Sequence, residues 1–125
     1  MKYLKTIFHI LNIVLIIFYL FPGSIIGCFF FNDCQIQPQI TRDFIISSNH
    51  FYAFGLLAFI GLIYQKSKKI MFFYLIFLSI FLEFTHHLIP NRSFEYQDLL
   101  GNLFGVTVSL VIIKLILFFK EKNAK

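Results

Sequence analysis

The sequence predicts an all-α integral membrane four-helix bundle with both termini in the cytoplasm. Three observations carry that prediction. Apolar residues make up 58% of the chain and the mean hydropathy is +0.79, above the roughly 45–50% apolar usage of soluble domains. Charged residues are only 14%, against about 25% in soluble domains. Four long apolar runs are separated by short polar segments, and the lysines collect at alternate ends of those runs. With 125 residues, no internal repeat and no change of composition, the chain 1–125 reads as a single transmembrane domain. The 19 phenylalanines accompany many Ile, Lys, Asn and Tyr residues, a set with A/T-rich codons, so their abundance points to genome composition and not to an aromatic site.

The first run, about residues 4–21, follows Lys2 and Lys5 and stops at Pro22-Gly23. With its flanks it approaches the roughly 20 residues that a bilayer core requires. It also resembles a signal peptide, and Ile25-Ile26-Gly27-Cys28 resembles a lipoprotein cleavage box. The apolar stretch ends before that box, however, and the later helices need a first partner, so a retained helix is expected. From Pro22 to Arg42 the polar series Asn32, Asp33, Gln35, Gln37, Pro38 and Gln39 predicts a loop, with Phe29–Phe31 at the membrane interface. Cys28 and Cys34 both fall in it: two free thiols, or a local disulfide if the loop faces an oxidising space.

The second run is about 44–64, the third 70–89 ending at Pro90, and the fourth 99–119 before a polar tail. Lys2, Lys5, Lys66, Lys68, Lys69, Lys120, Lys122 and Lys125 mark one side, whereas Arg42 and Arg92 are the basic residues of the other two loops. Positive charge on cytoplasmic segments then places both termini inside, with four spans. Tyr3, Tyr19, Tyr64 and Tyr96 fit the aromatic belts at the two interfaces. The charge of +5 is explained by this topology and leaves no domain-sized basic face for nucleic acid.

Topology sets depth. At about 1.5 Å per residue, Glu83 lies roughly 20 Å into a core about 30 Å thick, in its outer half. His50, near the outer start of the second helix, and Asp98 and Asn102, near the outer start of the fourth, reach a similar level. Intramembrane polar groups are costly and seek partners or a functional site. Glu83 with His86 or His87 can present a carboxylate and an imidazole on one helix face. Asp98, Asn102 and Gly105 form a stripe, and Gly101, Gly105 and Ser109 form a small-residue track along which another helix can approach closely. Such an approach would bring Asn102 toward Glu83 or His50.

At these residues the chain resembles the VanZ-like family of small bacterial membrane proteins. The match is Glu83, a polar residue three later (His86), Pro90, Arg92, Glu95, Asp98, Asn102 and Gly105, with His50-Phe51-Tyr52-Ala53-Phe54 similar to the family's upstream His-Phe segment. It covers about Phe44 to Leu110. The family often has Gln where His86 stands, and Asp-Lys where this chain has Ile46-Ser47. The resemblance implies a role in the bacterial cell envelope at the inner membrane, in a family linked to resistance to the glycopeptide teicoplanin. It supplies no reaction.

Two functions of different class follow. In the first, an anionic envelope molecule is bound or acted on at the outer leaflet. Arg92 would hold the anion by its planar fork, His50, Asp98 and Asn102 would complete the site, and Glu83 or His86 would act as acid or base. In the second, the same residues form a buried network that holds helices together: Glu83 pairs with Arg92 or a histidine, Asp98 caps a helix, Asn102 bridges helices, and Arg92 anchors the loop or pairs with Glu95 or Asp98. A transporter is a weaker third reading, and Ser79 is a weak nucleophile candidate. His50, His86 and His87 could ligate a metal beside Glu83 or Asp98, but His86 and His87 point about 100° apart and no His-Glu-x-x-His spacing occurs. No metal or cofactor is therefore expected. The expected partners are membrane lipids and an anionic envelope molecule; a homo-oligomer is compatible with the chain.

Overall fold

The computed structural model describes residues 2–124. It is all-helical among the described residues: α1 (Lys2–Leu20), α2 (Ile25–Phe31), α3 (Ser48–Tyr64), α4 (Lys68–Thr85) and α5 (Tyr96–Asn123). By length and composition two of these, α1 and α5, are long and apolar enough to cross a membrane, and α3 is a shorter apolar helix. Helix α4 has 18 residues but includes Lys68, Lys69 and Glu83.

Helix α3 is the centre of the bundle. It packs against α1, α4 and most extensively α5. Its buried Phe54, Leu57, Ala58 and Leu62 meet Leu15 of α1, Leu75 and Leu82 of α4, and Val106 of α5 in one apolar core. The outer surface is also apolar. Ile13, Ile17, Phe73, Phe77, Phe104, Val111 and Leu115 are all half exposed or more. So extensive an apolar surface is unusual for a protein surrounded by water.

The α3–α5 contact rests on small residues. A Cβ added to Gly101 would lie 2.6 Å from the Ser47 carbonyl oxygen, and one added to Gly105 would lie 2.5 Å from that of Phe51. Only hydrogen fits at either point. The Ser109 hydroxyl, next on the same track, donates to the Gly55 carbonyl at 2.8 Å. Gly101, Gly105 and Ser109 thus let two backbones touch, as the spacing predicts.

Several boundaries differ from the sequence reading. The expected loop after Pro22 contains α2: Ser24 caps it by accepting from Gly27 N–H at 3.0 Å, and Asn32 ends it in the left-handed region. Cys28 and Cys34 are joined by a disulfide. Helix α3 starts at Ser48, not Phe44, because Asp43 accepts from Ser48 N–H while the Ser48 hydroxyl donates to the Thr41 carbonyl. Such side-chain bonds compete with helix in the preceding residues. Helix α4 stops at Thr85, four residues short of Ile89. Pro90 has no N–H to give the His86 carbonyl and its ring would clash there, so the chain tightens first into turns closed by His87 N–H to Phe84 and Leu88 N–H to Thr85. Helix α5 begins three residues early, at Tyr96, with Glu95 as its N-cap. Asp98 is therefore inside the first turn and is not the cap.

Candidate functional site

Most of the polar residues singled out in the sequence gather at one end of the bundle, where α1 and α4 finish and α3 and α5 begin. Their common neighbour is Tyr19. This residue lies on the buried stripe of α1 with Phe8 and Leu15 and is only 5% exposed, so it does not belong to an interfacial belt. Its hydroxyl donates to Asn102 Oδ1 at 2.6 Å. Its ring stacks on His86 at 5.4 Å between centroids and leans against His50 at 5.1 Å. Asn102, expected near Glu83 or His50, thus finds its partner on α1.

Two acid–histidine pairs flank this centre. His50 Nδ1 lies 2.7 Å from Asp98 Oδ1 without the alignment of a hydrogen bond. The pair joins the first turns of α3 and α5. Asp98 also sits where a helix dipole favours negative charge. The second pair is Glu83 and His86, both buried, with Oε1 and Nδ1 at 3.2 Å. Glu83 Oε1 also accepts from the Glu95 backbone N–H at 3.1 Å, which fixes the start of α5.

The protons of the second pair follow from its partners. His86 Nε2 faces the Tyr19 carbonyl oxygen at 3.2 Å, and a carbonyl can only accept, so Nε2 carries a hydrogen. One further proton lies between His86 Nδ1 and Glu83 Oε1: either imidazolium faces carboxylate or imidazole faces carboxylic acid. Each contacting atom is thus already engaged inside the protein. The arrangement ties the ends of α1 and α4 to the start of α5. His50 Nδ1, Glu83 Oε2 and Asn102 Nδ2 are the buried atoms of this cluster left without a hydrogen-bond partner.

Arg92 does not pair with Glu83, Glu95 or Asp98. Its Nε donates to the Phe21 carbonyl at 3.3 Å and its Nη2 to the Phe18 carbonyl at 3.0 Å. These carbonyls at and just beyond the last turn of α1 have no helical donors, and the guanidinium supplies them. Burial lowers the Arg92 pKa from its usual value, opposed by nearby Tyr19, Asp98 and Glu83. Two of its five N–H groups are used on α1 and three remain.

Beside this cluster lies a cavity of about 310 Å³ between α1, α3 and the 24–40 segment. Its body is apolar, with Val14, Leu15, Phe18, Ala53, Leu56 and Leu57 among its walls. One end is polar, where Tyr19, Ser24, Gln37, Asn49, His50 and Arg92 meet. Asn49 secures that end: its amide donates to the Pro38 carbonyl at 2.7 Å and its oxygen accepts from Ile40 N–H at 2.9 Å. Val14, Phe18 and Leu56 are more than one-third exposed, so the cavity communicates with the apolar outer surface between α1 and α3.

The predicted residues therefore divide. Arg92 and His50 line the cavity. Asp98 and Asn102 stand behind His50 and Tyr19, and Glu83 and His86 do not line it. Their expected role as acid and base toward a ligand has no access in this geometry. His87 stacks on Phe94 at 5.5 Å, away from His86. Ser79 is buried and its hydroxyl donates to the Ile76 carbonyl of its own helix. Among the described residues no three His, Cys, Asp or Glu side chains form a metal-binding group. The sequence alone points Tyr19 to an interfacial belt and gives Asn49 no role, yet both border the cavity. Tyr19 carried one faint signal, its position eleven residues after Phe8 and four after Leu15 on a helical stripe. No protein-family model, no curated protein and no solved structure matches this chain.

Proposed function

We propose that this protein is a four-span, VanZ-like protein of the bacterial inner membrane. Both termini are cytoplasmic, and the α1/α3 cavity holds an amphiphile with an anionic head near the outer leaflet. The observation that carries the reading is the cavity itself: an apolar body open to the outer surface, ending at a half-buried arginine with N–H groups to spare. Binding pockets typically combine an apolar lining with a few convergent polar groups, and a guanidinium matches phosphate or carboxylate. The lysine distribution supports the topology. Helices α3 and α4, at 17 and 18 residues, reach about 26–27 Å at 1.5 Å per residue, close to a bilayer core of about 30 Å.

The test is to purify the protein in mild detergent and identify co-purifying lipid by mass spectrometry. Wild type is compared with Ala53→Trp, which fills the cavity, and Arg92→Met. Enrichment of one anionic amphiphile in wild type and its loss in both variants is expected. Bulk lipid composition in all three would overturn the reading. A second reading, a non-catalytic accessory protein, is favoured by the inward-facing Glu83–His86 pair and the Tyr19–Asn102 bond; it predicts that bulk result.

A further inference from the structure

Arg92 also borders a second, smaller recess of about 50 Å³. This recess adjoins the polar end of the cavity, since Ser24, Gln37 and Arg92 line both. The further residues around it include Gln35 and Asn91, both exposed. Cys34 closes one side, held there by the disulfide to Cys28 and by its carbonyl accepting from Ser24 N–H at 2.8 Å.

The chemistry of this recess is one-sided. Its charged group is a guanidinium, and no carboxylate lines it. Gln35, Gln37 and Asn91 bring amide N–H donors. The Ser24 oxygen accepts from Gly27 N–H, which leaves its hydroxyl proton free to donate. Size adds a constraint. At roughly 30 Å³ for a water-sized group, the recess takes one or two such groups: one or two oxygens of a phosphate, with the rest at its exposed rim beside Gln35 and Asn91, and too little for a sugar. By the same measure of roughly 30 Å³ the neighbouring cavity takes about ten methylene-sized groups: one alkyl chain, not two.

Resting on the amphiphile reading above, we infer that the recess is the head-group subsite and that the ligand is a single-chain amphiphile ending in a small anion, a phosphate monoester. Its phosphate sits against Arg92, Gln35 and Asn91, and its chain runs down the α1/α3 cavity. A choline-bearing diester fits worse, because it brings a second cation toward Arg92 and more bulk than the recess holds.

The experiment uses the full chain in phosphatidylcholine nanodiscs and native mass spectrometry with three probes, dodecyl phosphate, dodecyl phosphocholine and dodecanol, and with inorganic phosphate as a separate control. Wild type is expected to bind dodecyl phosphate at least tenfold more tightly than either other probe. In a Gln35→Leu/Asn91→Gly double variant the ratio of dodecyl phosphate to dodecanol binding is expected to fall at least fivefold. Glycine suits position 91 because its φ is 60°. Equal binding of all three probes by wild type would overturn the subsite and leave the apolar cavity standing. Binding of none would overturn both readings. Inorganic phosphate bound as tightly as dodecyl phosphate would show a free anion as the occupant and overturn the amphiphile. The wild-type comparison of head groups decides the matter even if the variant fails to fold.

Discussion

Gly105→Ala and Gly55→Ala make a paired test of how α3 and α5 are held together. The two glycines face each other across the same contact, yet the space around them differs. A methyl on Gly105 would lie 2.5 Å from the Phe51 carbonyl oxygen and 2.8 Å from the Gly55 nitrogen, both backbone atoms. To restore an ordinary contact of 3.4 Å, α3 would have to retreat by about 0.9 Å at that point. That retreat would also lengthen the Ser109–Gly55 bond, now 2.8 Å. A methyl on Gly55 would meet nothing nearer than 3.7 Å. Each substitution gains about the same 0.5–1 kcal/mol from replacing glycine by alanine within a helix, so the difference between them isolates the overlap. Overpacking typically costs about 1–3 kcal/mol. Gly105→Ala should therefore be less stable than Gly55→Ala by that amount, roughly 5- to 150-fold in the unfolding equilibrium. The assay is reversible SDS titration of the protein in mixed micelles, followed by circular dichroism. Two variants that agree within about 0.5 kcal/mol would refute the close-contact account, since distant or independent effects agree to that level.

Glu83→Leu should cost about 3–5 kcal/mol in the same titration, because it leaves His86 and the Glu95 N–H without their buried partner; Glu83→Gln, which keeps an acceptor for that N–H, should cost less. Tyr19→Phe keeps the ring against His50 and His86 but removes the bond to Asn102, for an expected loss of about 1–3 kcal/mol. Neither Cys28 nor Cys34 should react with maleimide before reduction, and both should react after it; a closed loop this short is worth about 2 kcal/mol in the chain-entropy account. Arg92→Lys should loosen the end of α1, read as faster hydrogen exchange at residues 18–24, because one ammonium cannot span both carbonyls as the guanidinium fork does.

What the sequence makes legible is the arrangement that follows from helix order and spacing. An alternating chain of helices brings His50, Glu83, His86, Asp98 and Asn102 to one end, and the Gly101–Gly105–Ser109 interval sets the α3–α5 contact. What it hides depends on partners far away in the chain. A tyrosine near a helix end fits the membrane interface equally well, and only the fold turns Tyr19 inward to Asn102, 83 positions on. Arg92 has three carboxylates within a few residues of its own segment or helix, yet it serves carbonyls of α1. An unmet backbone acceptor is present in every helix end and leaves no mark in the residue types. Helix α2 is obscured for a related reason: seven residues, begun by a serine cap and carrying Cys28 of the disulfide in their middle, are too few to show a period. The early end of α4 was legible in principle, because Pro90 disfavours helix across the whole preceding turn and not only at Ile89.

The division between network and cavity bears on why this chain would keep so many polar groups in an apolar bundle. In the membrane setting proposed above, helices would gain little from apolar burial against one another, and close backbone contact and interhelical bonds would have to hold them. Here close contact holds α3 to α5, while bonds hold α1 and α4. The cavity separates part of α1 from α3, so that contact cannot be as close as the α3–α5 seam. The C-terminal end of α1 is instead fixed by directed bonds: the Tyr19 hydroxyl to Asn102, the Tyr19 carbonyl to His86, and the Phe18 and Phe21 carbonyls to Arg92. All four lie on α1 or just beyond its last turn. The polar cluster therefore does for α1 what glycines do for α5, without closing the space that a ligand would need.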